Sequence, residues 1–127
     1  MKEKKIKVLM VEPHKVPCMT EIDNDLDSLQ KAVSIGADEQ GLIELVYLED
    51  NVSILCNEEG KLIGLEPNRR LGKDILCGVF YVVADDEEGN LASLTEVQQA
   101  RYAQMFWESD ENIGRDEVEN ALFMSFL

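Results

Sequence analysis

Apolar residues in this chain follow two rhythms, and the changes between them mark the elements. Ile6, Val8 and Met10 alternate with Lys7, Leu9 and Val11 until Glu12-Pro13, which predicts a strand with one well-buried face. Residues 16–22 predict a weaker strand after an EPHK turn, and Pro17, which lacks an amide donor, places it toward a sheet edge. From Asn24 the spacing becomes helical. Leu26, Leu29 and Val33 share a face, Asn24 is the expected cap, Asp25 and Asp27 sit where the helix dipole favours anions, and Gly36 ends the helix. Residues 42–48 and 52–56 read as an antiparallel pair joined by Glu49-Asp50-Asn51. Residues 75–84, ILCGVFYVVA, are the most apolar run and predict one central strand.

The C-terminal third reads as helices. After a charged loop at 85–90, Ser93 with Glu96, or Thr95 with Gln98, offers a capping box before a helix carrying Val97, Ala100, Ala103 and Phe106. A break at 108–114 precedes a shorter helix over 115–125, with Val118, Ala121, Leu122 and Ser125 on one face and an apolar tail, FMSFL. This order predicts an α+β fold: a mostly antiparallel sheet with two or three helices packed on it. Residues 1–107 form a single domain in this reading, and 108–127 an acidic helical extension packed on it. The tail is apolar enough to pack on the core or on a second copy, so a homodimer is open.

Between the strands lies NEEGKLIGLEPNRRL, residues 57–71. Gly60 suits the positive-φ position of a hairpin loop, with Lys61, Leu62 and Ile63 starting the return strand. Pro67 then leaves the sheet, and Asn68, Arg69 and Arg70 are expected in irregular backbone.

Charge alters the picture more than composition does. The 127 residues carry 12 Lys and Arg against 26 Asp and Glu, a formal charge of -14, and residues 85–127 hold 11 of the acids against two arginines. Such a surface repels phosphate backbones and anionic membranes, so direct nucleic-acid or lipid binding is disfavoured. Cys18, Cys56 and Cys77 are scattered and form no CxxC pair, which points to no disulfide framework, no zinc site and a reducing cytoplasm. The N-terminal stretch is unlike a signal peptide, and no run approaches transmembrane length.

The segments KVLMVEPHKVP, EIDNDLDSLQKAV, NEEGKLIGLEPNR and ILCGVFYVVADDEEG with a later SLT, spread from about Lys7 to Phe106, resemble the family called domain of unknown function 3846. The resemblance implies recurring positions at Glu12, Pro13, Ile22, Asp23, Asn24, Leu29, Gln30, Asn57, Gly60, Gly64, Leu65, Asn68, Arg69 and Gly78. It also implies a context of phages, plasmids and conjugative elements of bacteria, without an activity. His14 stands where members tend to have Gly, and the tail from Glu108 lies outside the resemblance.

Candidate chemistry is sparse. Arg69 offers a planar fork for a carboxylate or phosphate, with Asn68 and Arg70 beside it. One reading makes these three a ligand site; the other pairs Arg69 with a carboxylate such as Glu12 and lets Asn68 close a turn. His14 is the sole histidine and reads as an exposed turn residue, and Cys56 and Cys77 read as inert packing. The acidic runs, including Asp85, Asp86, Glu87 and Glu88, and Glu108, Asp110 and Glu111, lack the spacing of a calcium loop, so no metal and no cofactor are expected. Nothing assembles a catalytic motif, and the chain is not expected to be an enzyme.

Two functions are expected on these grounds. The first is a mobile-element accessory protein in a bacterial cytoplasm, a counter-defence inhibitor such as an anti-CRISPR, whose carboxylates engage the basic nucleic-acid channel of a host nuclease. The second is a small-molecule or nucleotide-signal module acting through Asn68 and Arg69.

Overall fold

In a computed structural model, residues 2–124 are described, and they form a main antiparallel sheet, a small two-stranded sheet and three helices. The α+β class is therefore correct. The main sheet contains β1 (Lys5–Val11), β2 (Cys18–Asp23), β3 (Ile43–Glu49), β4 (Val52–Asn57), β7 (Phe80–Asp85) and the short β8 (Leu91–Ala92). Its strand order is β2-β1-β7-β4-β3, with β8 pairing the far end of β7. The small sheet pairs β5 (Pro67–Leu71) with β6 (Asp74–Cys77). The helices are α1 (Leu26–Ala32), α2 (Glu96–Met105) and α3 (Arg115–Met124).

The layers arise from side-chain alternation. One face of the main sheet presents Ile6, Val8, Leu55, Tyr81 and Val83 to Leu29 and Val33 of the α1 region. The opposite face presents Leu9, Val11, Val52, Ile54, Phe80 and Val82 to Tyr102 and Phe106 of the α2 region and to Leu76 of β6. Phe106 meets Phe80 edge-on, ring centres 5.1 Å apart, the geometry that aromatic quadrupoles favour. Ile75 and Cys77 point the other way from Leu76 and pack with Leu65 and with Ala121 of α3. Hence β1 has the expected well-buried face of Ile6 and Val8, its other face is exposed at Lys5 and Lys7 and buried only from Leu9 onward, and β2 lies at the edge where Pro17 placed it.

Several expected boundaries move, each for a local reason. Asp25, not Asn24, caps α1, its carboxylate accepting from the Ser28 amide at 2.8 Å. Asn24 is buried instead and donates to the carbonyls of Glu3 and Leu91, and Leu26 remains 61% exposed. The capping box of α2 is the Thr95–Gln98 alternative, while Val97 and Ala100 face solvent. Residues 61–63 form turns and no return strand, and Asn68 to Arg70 lie in β5 rather than in irregular backbone. Ser125 and the end of the apolar tail lie outside the described residues.

Gly78 divides the apolar run at 75–84 into two strands of different sheets. Its φ is +82°, and a Cβ there would lie 2.7 Å from Leu65 Cδ1, so the chain turns from β6 to β7 on a residue that needs both glycine's backbone freedom and its lack of a side chain. Gly60 has a different role from the one expected: it is not at positive φ, but a Cβ on it would meet the Cys77 carbonyl oxygen at 2.8 Å. The positive-φ residue of that loop is Gly64, at +76° with open space around it.

Gly64→Ala and Gly78→Ala therefore separate strain from crowding. The first is expected to cost about 1 kcal/mol from the left-handed backbone alone. The second should lose roughly 3 kcal/mol, because overpacking against Leu65 adds to the same strain. Urea unfolding midpoints compare them, and equal losses would mean that Leu65 yields freely.

Candidate functional site

A bulge in β5 creates the most unusual polar arrangement in the molecule. The register shifts between Pro67 and Arg69, so the consecutive residues Asn68 and Arg69 both turn inward, at 0% and 1% exposure. Asn68 Nδ2 donates to the carbonyls of Val11 (2.9 Å) and Gly78 (2.8 Å), joining the end of β1 to the β6–β7 bend. Arg69 Nε and Nη2 donate to the Phe106 carbonyl (3.2 and 3.0 Å), Nη2 also to Lys15 O (2.7 Å), and Nη1 to Asn68 O (3.2 Å) and Oδ1 (2.8 Å).

These contacts match the five N–H bonds of a guanidinium. Phe106 caps the C-terminus of α2, where carbonyls lack partners inside the helix and the dipole is negative, so a cation is well placed there. Burial pulls the Arg69 pKa down, while the nearby carboxylates of Asp110 and Glu111 oppose that shift. A guanidinium remains protonated under such a shift.

Both sequence readings of Arg69 are thereby corrected. Among the described residues it hydrogen-bonds to no carboxylate: Glu12 pairs instead with Lys15 at 3.2 Å. Nor do Asn68 and Arg69 present a donor to a ligand, because their N–H groups face inward to named acceptors. Arg70 points outward from β5, but Glu117 of α3 takes its Nε (2.5 Å) and Nη2 (2.8 Å), and Asp110 accepts its backbone amide at 2.7 Å. The three residues are a structural junction of β1, β5, α2 and α3.

His14, at φ +64°, is placed beside this junction by the turn after β1. Its Nε2 lies 3.0 Å from Glu66 and its Nδ1 2.7 Å from Glu111, so the exposed ring ties the turn to the segments before β5 and after α2. The two carboxylates raise its pKa above 6.5, the hydrogen bond to Glu66 contributing most. Glu111 is shifted below its ordinary 4.5, first by the Ser109 hydroxyl and then by His14.

The acidic residues singled out in sequence divide. Asp86 folds inward on its own turn, accepting from the amides of Glu88 and Asn90, and Asp110 and Glu111 are held by Arg70 and His14. Glu87, Glu88 and Glu108 are exposed, while Asp85 is half-buried at the end of β7. No hydrogen bond or ion pair joins residues 85–88 to 108–111 among the described residues.

A second acidic group, unremarked in the sequence, surrounds the open end of the β3–β4 hairpin. Asp38, Glu39 and Glu59 line a groove of about 480 Å³ with Leu42, Asn57 and Ile63, and Glu58 is exposed beside it, its amide donating to Leu42 O at 3.0 Å. Its floor is fixed by Asn57, which is buried, donates to Val33 O and accepts from the Glu59 amide. A signal existed in the chain: an antiparallel hairpin brings the residues entering its first strand beside those leaving its second, here two acidic doublets. A smaller groove of about 360 Å³ gathers Glu12, Pro13, Gly64, Leu65 and Gly78, all recurring positions implied by the family resemblance.

The thiols of Cys56 and Cys77 are pushed up to about 12 and about 11, foremost by burial, and stay protonated near neutrality. Among the described residues no group of three or more His, Cys, Asp or Glu side chains could hold a metal ion, and no helix is long and apolar enough to cross a membrane.

Replacing Arg69 by Met should cost about 3 kcal/mol or more, since the Phe106, Lys15 and Asn68 oxygens lose their donors in a buried site. Arg69→Lys should recover less than half, because an ammonium cannot reproduce the planar fork. Chemical denaturation reads both, and wild-type stability in the Met variant would disprove the junction. For His14, a raised folded pKa gives stability that is fully present below 6.5, the unfolded value, and lost as pH rises through the folded value. An NMR titration should place its midpoint above 6.5, and His14→Gln should flatten the stability profile in that window; a midpoint at or below 6.5 would mean that the carboxylate bridges do not form in solution.

No curated protein and no solved structure matches the chain. One family does: the sequence model of "Domain of unknown function (DUF3846)" matches residues 6–107, most of the chain, and the protein belongs to that family.

Proposed function

We propose that this protein is a mobile-element accessory factor that inhibits a bacterial host's defence nuclease by occupying its basic nucleic-acid-binding surface. The supporting observation is how the charges are distributed. Of the 12 cationic residues, Lys5, Lys15, Lys31, Lys61, Arg70, Arg101 and Arg115 are in ion pairs, and Arg69 is interior. The carboxylate excess therefore reaches solvent largely uncompensated, at Asp38, Glu39, Glu58, Glu59, Glu87, Glu88, Glu96 and Glu108 among others. Such a surface competes with phosphates for Lys and Arg, accelerates encounter with a cationic partner, and weakens as salt screens it. The context of phages and plasmids implied by the family resemblance raises counter-defence above other uses of a basic partner, and the mechanism is occupancy without chemistry. The alternative, a nucleotide module at Asn68 and Arg69, gains no support from side chains engaged in the core.

Purified CRISPR effector and restriction nucleases, free of nucleic acid, provide the test. Binding to at least one is expected at low salt, with affinity falling about tenfold or more at high salt and on combined Glu87→Gln, Glu88→Gln and Glu108→Gln substitution. No retention of any nuclease at low salt, or retention indifferent to that substitution, would overturn this mechanism.

A further inference from the structure

Among the described residues the main sheet ends on β3, which pairs with β4 on one side only and leaves its other edge open. Along Ile43–Glu49 the alternation places Leu45 and Tyr47 on the sheet face that α1 covers farther in, Leu45 opposite Leu55 and Tyr47 opposite Ser53. The helix does not reach them: Leu45 is 49% and Tyr47 68% exposed, and Leu42, just before the strand, is exposed as well. An open backbone edge is thus bordered by an apolar strip. Natural sheets usually blunt such an edge with Lys, Pro or a bulge. Here the bulge falls only between Tyr47 and Glu49, so the first five residues stay regular and carry no Lys or Pro.

The acidic groove opens at the start of this edge. None of Asp38, Glu39, Glu58 and Glu59 has a cationic side chain in ion-pair range among the described residues. The groove also has apolar walls, Leu42 and Ile63, suited to the methylene stem of a long cationic side chain. Groove and edge adjoin where Leu42, which lines the groove, leads directly into β3.

We propose that the free edge of β3 accepts an extended, Lys/Arg-bearing segment of a partner protein as an added strand, with apolar side chains on Leu45 and Tyr47 and a basic side chain in the Asp38–Glu39–Glu59 groove. Main-chain hydrogen bonds supply affinity in this mode, and side-chain pockets supply selectivity. The proposal rests on the reading that the partner is basic, and names the surface where it docks. A second copy fits poorly. Antiparallel pairing of two β3 edges would bring the Asp38, Glu39 and Glu59 end of one against the Glu49 and Asp50 end of the other, a like-charge contact.

A fluorescent peptide of alternating Lys and Val tests the idea by anisotropy against the full chain, with an alternating Glu and Val peptide and a Lys and Val peptide N-methylated on one edge as comparisons. Binding of the Lys peptide alone is expected, weakened at least tenfold by N-methylation and by the combined Glu39→Gln and Glu59→Gln substitution, with new amide-exchange protection over residues 43–47. Equal binding of the N-methylated peptide would overturn strand addition and leave the basic-partner reading standing. No binding of the Lys peptide, while basic nucleases are still retained, would do the same. Self-association through β3 that the peptide does not displace would overturn it in favour of a second copy. Since N-methylation alters the probe alone, the test does not depend on any variant folding.

Discussion

The Arg69 guanidinium sits among carbonyl oxygens, and the arrangement of the other elements depends on it. Its donors connect the turn after β1, its own strand and the C-terminus of α2, while Asn68 adds the end of β1 and the bend at Gly78. A buried cation that no carboxylate hydrogen-bonds is costly unless its N–H groups find other acceptors. Here the acceptors are carbonyls that the chain must satisfy in any case, at the end of a helix and at the ends of strands. One side chain thus resolves several unmet acceptors at the point where the two sheets and α2 meet.

The junction also determines what remains at the surface. With Arg69 turned inward by the bulge in β5, the next residue, Arg70, is turned outward, where Glu117 and Asp110 hold it against α3 and the segment before it. Glu111 then lies within reach of His14, so the C-terminal acidic segment is fastened at two neighbouring points. Among the carboxylates left without an ion pair, Asp38, Glu39, Glu58, Glu59, Glu87 and Glu88 lie at hairpin ends away from the junction, while Glu108 follows α2 close to it. Ion-paired basic residues such as Arg70 thus hold the acidic chain together, while Lys2, Lys4, Lys7 and Lys73 stay exposed and offset only part of its outer field.

Much of this fold was legible in sequence, and the failures share a cause. The β3–β4 hairpin, the α1 and α2 helices and the Thr95 cap depend on spacing within a few residues, which a linear pattern carries well. The division at Gly78 does not, because both halves of ILCGVFYVVA are buried, and an apolar run looks the same whether it crosses one sheet or two. Arg69 was misjudged more deeply. A charged residue after a proline suggests a solvated loop, and only a register shift within β5 puts it in the core. Gly60 illustrates the same limit: its lack of a side chain serves the Cys77 carbonyl, a neighbour seventeen positions away, rather than its own turn.

The placement of charge reflects a further consequence of that geometry. An acidic chain must disperse its repulsion to stay folded, and hairpin ends are the positions where carboxylates are best solvated. At the turn between β7 and β8 this serves folding directly, since Asp86 gives its oxygens to the local backbone. At the opposite end of the neighbouring hairpin it does not. Asp38, Glu39, Glu58 and Glu59 form no ion pair among the described residues, and all but Glu58 line a groove whose floor is held by Asn57 and whose Gly41 has no room for a Cβ, the nearest atom being Asn57 Nδ2 at 2.8 Å. Solvation alone would be met as well by carboxylates splayed apart on a mobile loop. A fixed, concave and apolar-walled setting focuses their field instead, and it does so beside the one long strand edge bordered by exposed Leu45 and Tyr47. Folding does not require that coincidence of open edge and anionic groove, and a cationic strand is the ligand that would use both.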